Sequence, residues 1–111
     1  MLFWFEFVRL PEYERTAKDL LSDDDERRIE HALVENPEAG AVVAKTGGVR
    51  KLRVALPGRG KRGSARVIYF YRSAKGRVYL LYAYAKGAAE SLSDQGKREM
   101  RRLTSMLERE P

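Results

Sequence analysis

Three short stretches dominate the middle of the chain: Val49–Leu56 (VRKLRVAL), Arg66–Arg72 (RVIYFYR) and Val78–Tyr84 (VYLLYAY). Each is rich in β-branched and aromatic residues. They are separated only by the turn-forming segments PGRGKRG (57–63) and Ala74-Lys75-Gly76. Strands so close together pair most simply as an antiparallel meander. The remaining residues must then supply elements that cover such a sheet. In the first strand Leu52 and Val54 face one way and Lys51 and Arg53 the other. This predicts one apolar face under helices and one face carrying Lys51, Arg53 and Arg66 with tyrosines interleaved.

The flanks fit that requirement. Leu2–Val8 (LFWFEFV) reads as a strand buried on both faces. Pro11 opens a helical stretch with Tyr13, Ala17, Leu20 and Leu21 on one side. Ser22 is a natural N-cap for a second helix, whose first turn holds Asp23–Glu26, where the helix dipole favours carboxylates. Its apolar face is Ile29, Ala32 and Leu33, and Asn36-Pro37 ends it. A last helix starts at Ser91 or Ser93 and carries Met100, Leu103 and Leu107. The expected order is β-α-α-β-β-β-α: one α+β domain over 1–111, an antiparallel sheet packed against helices on one face.

Charge is distributed in blocks. Met1–Glu38 holds eleven acids and five bases, and Ala39–Ala89 holds twelve bases and no acid. Beyond that the balance is five against five. An unbroken cationic stretch calls for a polyanion or an acidic partner, and nucleic acid is the commonest. Cations that hold phosphates, with aromatic rings that stack unpaired bases, are what an RNA-binding face requires. Only about half of Tyr69, Tyr71, Tyr79, Tyr82 and Tyr84 can serve there, since the others must pack under the helices.

Other chemistries lack their residues. There is no cysteine, and His31 is the only histidine, which excludes disulfides and thiolate sites and leaves few nitrogen ligands for a metal. His31 lies in the acidic helix and reads as an ordinary surface or half-buried residue. No apolar run is long enough for a membrane span, and the first residues do not read as a signal peptide, so a soluble cytoplasmic domain is expected. Gly58–Gly63 matches G-x-G-x-x-G, but a strand follows where the dinucleotide motif needs a helix. A cationic hairpin loop is the better reading, with Arg59, Lys61 and Arg62, together with Arg50, as candidate RNA contacts. Chemistry then falls to Lys, Arg and Tyr. They suffice for RNA cleavage, where the ribose 2′-hydroxyl is the nucleophile and the protein stabilises charge and moves a proton, with no cofactor.

GGVRKLRVALPGRGKRGSARVIYFY (47–71) and VYLLYAYAKGAAESLS (78–93), with NPEAGAVVAKTGG (36–48) before them, closely resemble the HigB branch of the RelE/ParE toxin superfamily. The resemblance spans essentially the whole chain. It implies a RelE-like microbial ribonuclease fold and ribosome-dependent endonucleolytic cleavage of mRNA in the A site, which arrests translation. It also implies restraint by a cognate antitoxin, in this branch usually a HigA-type helix-turn-helix protein. The family's functional positions fall here on Lys51, Arg53 and Arg66, with Tyr84 and Lys86 at the end of the last strand. Arg66 is then expected to contact the scissile phosphate, with Lys51 and Arg53 on neighbouring phosphates or in proton transfer. The sequence departs from well-known relatives in having Gly87 near the position of a family arginine and no tyrosine after Tyr84. Two other readings share the basic face: a gyrase-inhibiting toxin on the same fold, and a nucleic-acid-binding module without activity.

Overall fold

A computed structural model describes residues 5–58, 63–87 and 92–111. The elements run β1 (Glu6–Arg9), α1 (Pro11–Ala17), α2 (Asp23–Glu35), β2 (Ala41–Val42), β3 (Val49–Ala55), β4 (Ser64–Arg72), β5 (Arg77–Ala85) and α3 (Asp94–Glu108). The α+β order expected from sequence holds, with one two-residue strand added. The sheet order is β1-β5-β4-β3-β2. The meander β3-β4-β5 is antiparallel, whereas β1 joins β5 in parallel and makes the sheet mixed. A parallel neighbour requires a crossover, and the chain from α1 to β4 supplies it.

Local signals explain the boundaries. Pro11 takes the first helical position, where its missing N–H costs nothing. At α2 the Ser22 hydroxyl accepts from Asp25 N at 3.1 Å and Asp25 Oδ2 accepts from Ser22 N at 2.9 Å, forming a reciprocal capping box. Ser93, not Ser91, caps α3 by accepting from Gly96 N at 3.0 Å. A 3₁₀ turn at Ser73–Lys75 ends on left-handed Gly76 and closes the β4–β5 hairpin.

Helices cover both faces of the sheet, contrary to the expectation of one. Tyr13, Ala17 and Leu21 from the α1 region and Ile29 and Leu33 from α2 bury Val54, Ala65, Val67, Tyr69, Val78, Leu80 and Ala83 on one face. On α2 the buried stripe is Asp25, Ile29 and Leu33, while Ala32 is exposed. Val49, Ile68, Phe70, Tyr79 and Leu81 form a second core on the other face, under Leu107 with Met100 and Leu103 beside it. The alternation in β3 suggests a half-solvated sheet. The nearly continuous burial of β4 and β5 reflects instead two covered faces.

Two arginines clamp the end of α3 to the sheet. Arg72 Nη1 donates to Leu107 O at 3.0 Å and Glu110 O at 2.6 Å. Arg77 donates to Tyr79 Oη and to Pro111 O, and Tyr79 Oη donates to Glu110 Oε1 at 2.9 Å. These cations satisfy carbonyls that a helix C-terminus leaves open. On the opposite side Arg9 bridges Glu14 and Glu26, and Tyr13 donates to Glu26 at 2.8 Å.

Candidate nucleic-acid interface

Cross-strand register sorts the second face into rows. Arg53, Arg66 and Tyr84 are successive partners across β3, β4 and β5. Lys51, Ile68 and Tyr82 form the next row, and Val49, Phe70 and Tyr79 the one after. The third row lies in the core under α3; the second has only Ile68 in that core, and the first runs beyond it. The cationic site is therefore the part of this face that α3 leaves uncovered.

A β-bulge makes the rows possible. Register shifts between Ile68 and Tyr69, leaving Leu81 as an extra residue in β5. Strict alternation would put Tyr79 and Tyr84 on opposite faces. The bulge restores them to one, so Tyr82 and Tyr84 lie beside Lys51 and Arg66. Their ring centroids are 6.1 Å apart and their planes are inclined by 26°. Burial pushes the Tyr82 hydroxyl pKa up, with a smaller contribution from Tyr84.

The tyrosines face a cleft of about 310 Å³ whose walls include Val42 and Val43, Lys51, Ile68, Leu92 and Lys97. Lys97 comes from the first turn of α3. It was not singled out in the sequence, where it sits in a charge-balanced segment and only the packing of α3 brings it to the sheet. Tyr82 was likewise one of five indistinguishable tyrosines. Of the others, Tyr69 is fully buried, accepts from Gly40 N at 2.9 Å and donates to Pro37 O at 2.7 Å. Tyr71 packs near Phe5 in the first core and Tyr79 lies in the second.

The candidate cations separate. Arg53 is exposed at the β3 edge, beyond the short reach of β2, and borders not the cleft but a smaller depression with Arg28 and Ile29. Arg66 is half-buried, its Nη1 3.3 Å from Ala65 O. Lys86 follows β5 and its backbone N donates to Ser64 O at 3.1 Å, which sets it at the Arg66 end of the sheet. Arg50 alternates to the other side of β3. Its guanidinium donates to Glu38 O and Gly40 O and lies 3.7 Å from the Glu38 carboxylate, apart from the cleft. Arg59, Lys61 and Arg62 lie outside the described residues. His31 is exposed on α2, 3.1 Å from Glu35.

Among the described residues no carboxylate pairs with Lys51, Arg53, Arg66, Lys86 or Lys97, whereas Arg9, Arg15, Arg27, Arg28 and Arg77 all have acidic partners elsewhere. Cations with no carboxylate partner among the described residues, beside two stacked tyrosines, can hold a phosphodiester and a base together. No helix among the described residues is long and apolar enough to cross a membrane.

A family model described as the RelE toxin of the RelE/RelB toxin–antitoxin system matches residues 9–110, which includes every described element except the first three residues of β1. A toxin of this kind has an antitoxin partner. The chain belongs to the RelE toxin family and is the toxin component of a toxin–antitoxin system.

Proposed function

We propose that this toxin is a ribosome-dependent endoribonuclease that cleaves translated mRNA in the A site, acting in the cytoplasm. The observation that carries this reading is the row Arg53–Arg66–Tyr84 next to a cleft lined by Lys51, Tyr82, Tyr84 and Lys97, with no carboxylate among the described residues paired to these cations. In the reaction the ribose 2′-oxygen attacks the adjacent phosphorus and the 5′-oxygen departs. One proton leaves the 2′-hydroxyl and one reaches the leaving oxygen. Arg66 and Arg53 hold the phosphate and stabilise its growing charge, an effect worth several kcal/mol in a water-poor site. Lys51 polarises the neighbouring phosphate or takes part in proton transfer, and Lys86 attracts the strand at the sheet end. Tyr84, in the arginine row, is placed to handle a proton at the scissile bond. Tyr82, one row away and half-buried, stacks the base in this reading. Arg59, Lys61 and Arg62 belong by charge to the approach of the RNA. The HigB branch, with a HigA-type helix-turn-helix antitoxin, is the assignment we favour on the motif at 47–71.

The test is expression of the wild type and Arg66→Ala in a bacterium, with 5′ ends of a reporter mRNA mapped by primer extension. In-frame cuts with the wild type alone, lost when translation is blocked, are the expected result. Growth arrest without cuts would overturn it in favour of a non-nucleolytic toxin on the same fold.

A further inference from the structure

The cleft leaves unused the outward face of α3. The inward side of this helix packs on the sheet, and Thr104 Oγ1 reaches Thr46 O at 3.1 Å. Facing away, Arg98, Arg101, Arg102, Ser105, Met106 and Arg109 border a concavity of about 510 Å³. Positions 98, 102, 105 and 109 keep to one stripe of a helix, about 16 Å long at the α-helical rise. The helical arginines Arg15, Arg27 and Arg28 of α1 and α2 are matched with acids on their own helices. Among the described residues Arg98, Arg101, Arg102 and Arg109 have no ion-pair partner, and Met106 between them is 58% exposed.

We propose that this face docks an acidic amphipathic helix of a protein partner, with carboxylates at the arginines and an apolar residue against Met106. Single-stranded RNA favours cations interleaved with aromatic rings, and α3 contains no aromatic residue. A flexible thioether flanked by guanidinium groups suits instead an apolar stripe bordered by acids. The arginine stems widen the apolar contact while their heads meet the carboxylates. The face lies apart from the cleft, to which α3 contributes Lys97, so the two can be occupied together. None of this rests on the ribonuclease reading.

The experiment uses the full chain and a labelled synthetic helix as long as α3, with a leucine stripe bordered by glutamates. A scrambled peptide of the same composition is the control, and a short single-stranded RNA is the second probe. The patterned peptide should bind and the scrambled one should bind about tenfold more weakly or worse. The double variant Arg98→Glu/Arg102→Glu should lose at least as much, and Met106→Ala should weaken the patterned peptide several-fold without altering charge. RNA should neither displace the peptide nor lose affinity in these variants, whose thermal melts confirm the fold. Equal binding of the two peptides would overturn the proposal, leaving a nonspecific anionic surface. Loss of RNA affinity in the α3 variants with indifference to the peptide would overturn it in favour of nucleic acid.

Discussion

Arg53 and Arg66 are direct cross-strand partners, two cations side by side on β3 and β4. Like charges in this position are unfavourable by roughly 0.2–1 kcal/mol, and no carboxylate among the described residues offsets them. Replacing either arginine by threonine should leave stability unchanged or raise it by up to about 1 kcal/mol. The same variants should lose mRNA cleavage by about a hundredfold or more, as when a transition-state donor is removed. Urea unfolding run beside primer extension tests both halves. A large loss of stability would assign the pair to the scaffold.

Alkaline pH should weaken the fold through its tyrosines. Burial raises the hydroxyl pKa of Tyr13, Tyr69 and Tyr82, and at Tyr13 the hydrogen bond to Glu26 adds to it. Above about pH 10, the ordinary tyrosine value, the unfolded chain gives up these protons first. It then binds fewer protons than the native state, so stability falls as pH rises. The contribution is fully present below that pH and is lost as pH passes through the raised native values. Urea midpoints should drop along this limb, and Tyr82→Phe should make the drop shallower with little change at neutral pH. An unchanged limb would show that Tyr82 ionises normally.

Gly47 carries a φ of +80°, and a Cβ there would lie 2.3 Å from Thr104 Oγ1. Gly47→Ala should therefore cost about 1–3 kcal/mol. Thr104→Ala in the same chain should relieve the clash and leave the backbone cost. A double-mutant cycle by denaturant unfolding separates the two; strict additivity would show that the two residues do not meet.

Ser22→Ala removes one half of the α2 capping box. The expected loss is about 1 kcal/mol, read as a lower thermal midpoint. Ser22→Asn should retain most of the stability, since its side-chain oxygen can accept the same N–H.

The sequence carried the meander, the α2 cap and the shared face of Lys51, Arg53 and Arg66, because alternation, capping and charge are local signals. The parallel docking of β1 was hidden, since its partner lies about seventy residues away (Glu6 with Arg77). The bulge at Leu81 was hidden too: VYLLYAY alternates imperfectly, and nothing in it marks where the register slips. That slip decides which tyrosines meet the cations. Arg50 and Lys51 look equivalent as letters, yet strand alternation sends one to the Glu38 carboxylate and the other to the cleft. The second helical layer was legible only as an amphipathic helix; which face it covered depended on where the chain crossed the edge of the sheet.

The pairing of β1 with β5 has a consequence for how the chain is made. During synthesis the first strand emerges long before its neighbour exists, and α3, which walls the cleft with Lys97, follows all five strands. A nascent chain thus carries its cationic rows before the surface that shapes them is complete. The cleft is complete only once α3 has folded back onto the sheet, so a chain that stops before α3 keeps its cationic rows and lacks the Lys97 wall.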